Sequence, residues 1–121
     1  MFQVEADTAL NVLKVSYSQE VDRAQVKQCR EQVEVLLLEL RPGFQVLADL
    51  SRLDWMEYAC VPEIRGIMDL CQKNGVSKVI RVIPDPHKDI GFTVMSLFHY
   101  GHDVAILTCE TLPAAMERLS S

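Results

Sequence analysis

The stretch Phe44–Val61, with the sequence FQVLADLSRLDWMEYACV, joins an apolar run to a segment of mixed polar and aromatic side chains. Its first part, Phe44–Leu50, lacks the strict alternation of a strand with one solvent-exposed face, so it predicts a strand covered on both faces. We expect Ser51–Tyr58 to form a loop. Pro62 then fits the first turn of a helix, because the backbone nitrogen there has no intrahelical hydrogen bond to lose. A buried strand followed by a helix is the unit from which parallel α/β sheets are built.

A helix is predicted upstream of this stretch. Asp22 followed by Gln25 is typical of a capping box, in which the Gln side chain bonds back to the cap residue. Pro42 and Gly43 end the helix, since Pro cannot continue it and Gly accepts a left-handed backbone. Between these signals, apolar side chains recur at helical spacing: Val26, Cys29, Val33, Leu36, Leu37 and Leu40.

The remaining elements are predicted from short apolar runs bounded by turn residues. Four further strands are expected at Phe2–Ala6, Leu10–Tyr17, Val76–Ile83 and Val104–Thr108, the first two joined by a hairpin turn at Asp7-Thr8. The helix opened by Pro62 has an inner stripe of Ile64, Ile67, Met68 and Cys71, and Asn74-Gly75 ends it. Two further helices are expected at Ile90–Tyr100 and at Pro113–Leu119, the second capped by Thr111.

The predicted order of elements is β-β-α-β-α-β-α-β-α. Strands that alternate with helices favour a mostly parallel sheet with packed helices, and the opening hairpin adds one antiparallel edge. The chain of 121 residues has the size of one domain, so we expect a single α/β domain over residues 1–121.

Composition restricts the class of protein. The formal net charge is -5 and the basic residues are scattered, which disfavours nucleic-acid binding. No apolar run approaches the ~20 residues of a membrane span, and no secretory segment is evident. We therefore expect a cytoplasmic protein whose four cysteines are free thiols.

The order of elements and the stretch after Phe44 resemble the STAS family of anti-sigma-factor antagonists. In that family a buried strand ends in an Asp-Leu-Ser-like segment, followed by an apolar pair and an Asp-Ser-Ser-Gly stretch that opens a helix. Here Ala48-Asp49-Leu50-Ser51 lies at the strand end, Trp55-Met56 takes the apolar pair, and Glu57-Tyr58-Ala59-Cys60 replaces Asp-Ser-Ser-Gly.

The resemblance implies binding to a protein partner, controlled in the family by phosphorylation of the second serine. That position is Ala59 here, and alanine has no hydroxyl to phosphorylate. If the surface is used as in the family, the partner-binding residues are Ser51, Trp55, Met56, Glu57, Tyr58, Ala59 and Cys60. Trp and Tyr are frequent anchors of protein interfaces, although Trp55 or Met56 would also serve to close the end of the core.

Other chemistry is weakly indicated. His99 and His102 are separated by Gly101 at a helix end, without a completing ligand, so we expect no metal. Cys60 near a helix start keeps a thiol enzyme open, but no nucleophile elbow or phosphate loop occurs.

The leading prediction is a protein-interaction module that is not an enzyme and holds no cofactor. It has an anti-sigma-factor or signalling-complex type of partner, and homodimerisation is left open. The alternative is a small-molecule or lipid-binding domain with a pocket beside Ile90–Tyr100.

Overall fold

Five strands and three helices make up the part of the chain that the computed structural model describes, residues 1–82 and 104–119. The strands are β1 (Phe2–Asp7), β2 (Val12–Val21), β3 (Gln45–Met56), β4 (Lys78–Val82) and β5 (Ala105–Cys109). The helices are α1 (Arg23–Leu36), α2 (Val61–Lys73) and α3 (Leu112–Arg118), with short 3-10 turns at Leu37–Glu39 and Tyr58–Cys60. The helix predicted at Ile90–Tyr100 lies outside the described residues.

The strands form one sheet in the order β1-β2-β3-β4-β5. β1 runs antiparallel to β2, whereas each strand from β2 to β5 runs parallel to its neighbour. The predicted α/β class, with a mostly parallel sheet and one antiparallel edge, is therefore confirmed. Its central strands read as apolar runs because side chains on both faces are buried.

Each face of the sheet carries its own apolar core. The larger core lies under α1 and α2, where Leu13, Leu50 and Ile64 are fully or almost fully buried. The smaller core lies under α3 and contains Val12, Leu47, Ile80, Val82 and Ala115. Leu47 is buried on the α3 side and Val46 on the α1–α2 side, which explains why the run after Phe44 shows no alternation.

The opening hairpin has a regular register, from Phe2 opposite Tyr17 to Asp7 opposite Val12. The Asp7 carboxylate accepts a hydrogen bond from the backbone nitrogen of Leu10 at 3.0 Å, and Asn11 adopts a φ of 57°. Asp and Asn suit such turns because their short polar side chains bond to nearby backbone and tolerate the left-handed region.

α1 begins as predicted at Asp22, whose side chain accepts a hydrogen bond from the backbone nitrogen of Gln25 at 2.9 Å. The prediction that the Gln25 side chain bonds back to Asp22 is wrong, since the buried Oε1 of Gln25 has no hydrogen-bond partner. A residue from elsewhere in the chain takes part in capping this helix instead, as described below.

Two expectations about strands are wrong. The segment Ser51–Tyr58 is not a loop, because β3 continues to Met56. The short apolar run Val104–Thr108 predicts a central, buried strand, but β5 is the outermost strand of the described sheet, and Ala105 and Thr108 are exposed. Among residues 104–109 only Val104, just before β5, is buried.

Candidate functional site

The candidate site is the short connection between β3 and α2. β3 ends at Met56, Glu57 follows in extended conformation, and the 3-10 turn Tyr58–Cys60 leads into α2 at Val61. Pro62 lies in the first turn of α2, as the sequence predicts. Strand, turn and helix therefore present consecutive residues in alternating directions, some into the core and some into solvent.

Burial divides the predicted site residues into two groups. Trp55 is 47% exposed and Tyr58 is 68% exposed, so each offers a large aromatic surface to a partner. Met56 is 3% exposed and Cys60 is 0% exposed, so both belong to the core. Trp55 and Tyr58 are thus exposed, as interface anchors must be, and Met56 is the residue that closes the end of the core.

Glu57 holds the connection against the start of α1. Its Oε2 accepts a hydrogen bond from the backbone nitrogen of Arg23 at 3.1 Å, which satisfies one of the free N–H groups at the start of that helix. Its own backbone nitrogen donates to the carbonyl oxygen of Val21 at 3.0 Å. Asp22 and Glu57 thus cap α1 together, the first from within the chain segment and the second from 34 residues away.

Cys60 is unsuited to nucleophilic chemistry. Burial, and to a lesser extent the negative charges of Glu57 and Asp22, together raise the pKa of its thiol to about 11. Its Sγ donates to the carbonyl oxygen of Val21 at 3.7 Å. At neutral pH the group is a neutral thiol inside the core, which removes the sequence argument for a thiol enzyme.

A buried carboxylate that the sequence did not single out lies directly behind the turn. Glu63, in the first turn of α2, is 5% exposed. Its Oε1 lies 3.5 Å from Nε of Arg23 and its Oε2 lies 3.0 Å from Nη1 of Arg30, both on α1. Arg23 therefore reaches Glu57 through its backbone and Glu63 through its side chain, which joins the turn, α1 and α2.

Gly66 makes room for this arrangement. A Cβ at that position would lie 2.9 Å from Cδ of Arg30, closer than real Cβ atoms approach another heavy atom. The missing side chain lets Arg30 cross α2 and reach Glu63. The sequence gives no signal for this arrangement, because Glu63 and Gly66 occur in it only as one acidic residue and one glycine of a predicted amphipathic helix.

The surroundings of the exposed aromatic residues are acidic. Glu20 of β2 lies beside Trp55 in the sheet register, and both are exposed. Asp54 and Asp22 are also exposed nearby in the chain. Arg52, three positions before Trp55, is also exposed, and Arg23 is turned to Glu63, so acidic residues outnumber basic ones near the rings and the surface suits a partner with basic and apolar groups.

Ser51 is separated from this surface. It lies within β3, half-buried, and both its backbone nitrogen and its Oγ donate to Oδ1 of Asp49, at 3.0 and 2.6 Å. Ser51 and Met56 are five positions apart along the strand, a span of about 16 Å. The structure thus brings Trp55, Glu57, Tyr58 and Ala59 together but not Ser51.

Three solved structures resemble this arrangement over nearly the whole chain. The anti-sigma factor antagonist SpoIIAA in its unphosphorylated form has a TM-score of 0.69 and 20% sequence identity, over 98% of this chain and 97% of that one. The fold is SpoIIAA-like. The Bacillus cell fate determinant SpoIIAA in its phosphorylated form has a TM-score of 0.65 and 20% identity, over 99% and 100% of the two chains. A Shewanella loihica protein described as having a SpoIIAA-like fold has a TM-score of 0.66 and 14% identity, over 98% and 94%.

The sequence itself matches no protein-family model and no curated protein. The SpoIIAA-like fold confirms the resemblance to STAS proteins at the level of the fold. In this fold Ala59 lies in the 3-10 turn before α2 and is half-buried. Its methyl group offers no oxygen for a phosphoryl group.

Cavities of the SpoIIAA-like fold differ between the two faces of the sheet. Under α2 the space beside Ile64, Met68 and Val79 has a volume of only about 30 Å³, far below that of a small-molecule site. On the α3 side an open groove of about 750 Å³ runs between β1, β2 and α3, and Lys14, Ser16, Asp49 and Met116 are among its lining residues. The pocket predicted beside Ile90–Tyr100 lies outside the described residues.

Within residues 1–82 and 104–119, no three His, Cys, Asp or Glu side chains are grouped as a metal site requires. His99 and His102 lie outside those ranges, so the absence of a metal there stays a prediction. None of the helices that the structure describes is long and apolar enough to cross a bilayer.

Proposed function

We propose that this protein is a non-catalytic, cytoplasmic interaction module that acts as an anti-sigma-factor antagonist does, by binding a regulatory protein partner. The observation that carries the proposal is the pair of exposed aromatic side chains, Trp55 and Tyr58, on a connection fixed to two helices. The SpoIIAA-like fold supports the proposal, since the solved SpoIIAA structures are described as those of an anti-sigma factor antagonist and a cell fate determinant.

The binding surface consists of Trp55, Glu57, Tyr58 and Ala59, and Met56 and Cys60 support it from the core. Large aromatic side chains contribute most to binding when they enter a pocket of the partner and lose their water. The acidic residues at the rim would speed association with a basic partner and make that rate sensitive to salt. Ser51 is assigned to the strand rather than to the contact surface.

This module lacks the usual switch. With Ala59 at the position of the regulatory serine, phosphorylation at this position cannot release the partner. Control of binding therefore depends on the amount of either protein, or on another site of modification.

A pull-down from cells of the source organism tests the proposal when wild-type protein is compared with Trp55→Ala/Tyr58→Ala. Leu38→Ala is the matched control, because Leu38 is an apolar residue, 84% exposed, in the 3-10 turn that follows α1. We expect a partner that wild type and Leu38→Ala retain and the double variant loses, with the loss repeated by calorimetry on purified proteins. A set of bound proteins that is unchanged by the double variant would contradict the proposal.

A second candidate function, binding of a small molecule or lipid, rests on the groove between β1, β2 and α3. Its volume of about 750 Å³ lies within the range of ligand sites, and Lys14 and Asp49 supply polar groups. Native mass spectrometry of protein purified from its own cells tests it: a co-purifying ligand that Met116→Lys displaces would favour this function over the first.

A further inference from the structure

The outer edge of the sheet at β1 has no strand beside it among the described residues. β1 is the first strand of the sheet and pairs only with β2 in that part of the chain. Sheet edges are usually protected by proline, charged side chains (above all lysine), a bulge or very short length, because their free N–H and C=O groups attract other strands. β1 has six residues in an unbroken register and contains neither proline nor lysine. Its charged residues are Glu5, which is exposed, and Asp7, whose carboxylate lies 3.8 Å from Nζ of Lys14 on β2.

The hydrogen bonds of the hairpin show which backbone groups are free. Met1 and Ser18 exchange both bonds, since the nitrogen of Ser18 donates to the oxygen of Met1 at 2.8 Å and the nitrogen of Met1 donates back at 3.0 Å. In an antiparallel pair such residues alternate along the strand. The N–H and C=O groups of Gln3, Glu5 and Asp7 therefore point at β2, and those of Phe2, Val4 and Ala6 point outward.

A shallow groove accompanies this edge on the α1 side of the sheet. It has a volume of about 470 Å³ and is lined by Val4 of β1 together with Gln28, Glu31, Gln32, Val35 and Leu36 of α1. Val35 is 64% exposed. The free edge and the exposed apolar side chains thus lie next to each other.

We propose that β1 pairs antiparallel with β1 of a second copy of this chain, with the two-fold axis at Val4. This register places Val4 opposite Val4 and Phe2 opposite Ala6, so all six outward N–H and C=O groups are used. A two-fold axis at Gln3 or at Glu5 would leave some of these outward N–H and C=O groups without a partner in the other β1. The axis at Glu5 would in addition place two glutamates directly opposite each other, which is unfavourable.

The side chains agree with the Val4 register. Gln3 of one copy lies opposite Glu5 of the other, so an amide donor meets a carboxylate instead of two like charges meeting. These two residues form the non-hydrogen-bonded pair of the new ladder, where side chains are closest. On the other face, the second copy adds its Phe2, Val4 and Ala6 beside the groove under Val35. The result is a two-fold symmetric dimer with one continuous sheet. Two-fold dimers are the commonest closed assemblies of soluble proteins.

Charge substitutions at Gln3 test the register. Gln3 is exposed, so neither Gln3→Lys nor Gln3→Glu should alter the fold, which circular dichroism checks. Lysine would face Glu5 of the second copy and glutamate would repel it, twice per dimer, so we expect the dimer Kd of Gln3→Glu to exceed that of Gln3→Lys by about tenfold. Gln72→Lys and Gln72→Glu, on the exposed side of α2, make the same changes in net charge away from β1 and should not differ from each other.

Sedimentation velocity over a concentration series on the full chain gives these constants. A protein that stays monomeric throughout, or a dimer with the same Kd in both Gln3 variants and wild type, would overturn the proposal. Equal weakening by both Gln3 variants would place the two-fold at Gln3 and overturn the Val4 register. None of these outcomes bears on partner binding through Trp55 and Tyr58, which lie on β3 and in the turn that follows it.

Discussion

Replacing Glu63 by methionine is expected to leave the free energy of unfolding within about 1 kcal/mol of wild type, whereas alanine at this position costs about 2–5 kcal/mol. The Glu63 side chain is 7% exposed, but its partners Arg23 and Arg30 are 58% and 37% exposed. When the carboxylate is removed, both guanidinium groups can therefore be hydrated, and no buried charge is left without a partner.

The favourable and unfavourable contributions of the Glu63 carboxylate to stability roughly cancel. An ion pair with an exposed arginine contributes about 0–1 kcal/mol, and a carboxylate in the first turn of a helix about 0.3–1 kcal/mol. The desolvation of the Glu63 carboxylate opposes these contributions, because its Oε2 makes no hydrogen bond of good geometry. Desolvation costs several kcal/mol for a fully buried ion. Methionine fills the same space without that cost, whereas alanine leaves a cavity between α1 and α2.

Urea unfolding followed by far-ultraviolet circular dichroism measures the difference. Asp69→Asn is the control, because it removes an equal charge from an exposed position of the same helix. If Glu63→Met were as unstable as Glu63→Ala, the ion pairs with Arg23 and Arg30 would dominate at this site and the reasoning from their exposure would be refuted.

Three further predictions concern the core, the switch position and the thiols. Leu37→Ala should lower the free energy of unfolding by about 2–5 kcal/mol in a denaturant titration, because Leu37 is 5% exposed; an unchanged midpoint would contradict its place in the core. Ala59→Asp should keep the fold by circular dichroism but weaken partner binding by about 1–3 kcal/mol in calorimetry, because an unpaired charge would be buried beside Glu57; equal affinity would exclude this surface. Cys60 has its pKa raised from 9.0 to about 11, so the unfolded chain ionises first, and stability should fall between pH 9 and 11. Cys60→Ala should lessen that fall in a thermal-melting series, and an identical pH profile would count against the assignment.

The sequence was sufficient to predict the order of the elements and several of their ends. The hairpin at Asp7, the cap at Asp22 and the cap at Thr111 depend on bonds between residues a few positions apart, which a sequence pattern contains. The parallel order follows from strands alternating with helices.

The extension of β3 could not be predicted, because its pattern is not that of a regular strand. Its buried residues Leu50, Leu53 and Met56 are three apart rather than two. The register against β2 explains this: between Ser16 and Ser18, and again between Gln19 and Glu20, β3 advances one residue more than β2 does. Each such bulge shifts the side-chain alternation by one, and the segment therefore resembled a loop.

The site was predicted in part, for a similar reason. The sequence shows aromatic residues between a predicted strand and a predicted helix, and both of them, Trp55 and Tyr58, are exposed in the structure. The role of Glu57 as a cap for α1 depends on Arg23, 34 positions earlier, and the position of Glu63 depends on Arg30. Only the folded chain brings these residues together, so neither contact has a signal in the local sequence.

The tether from Glu57 to α1 has a consequence for how tightly a partner can be bound. A free loop would have to give up about 1–2 kcal/mol of backbone entropy for each residue that a partner orders. Here the turn beside Tyr58 already has its conformation fixed by the bonds of Glu57 to Arg23 and Val21. Complex formation would then restrict mainly the rings of Trp55 and Tyr58, so a modest interface suffices for useful affinity. Breaking the tether would weaken binding even where Trp55 and Tyr58 keep their contacts with the partner.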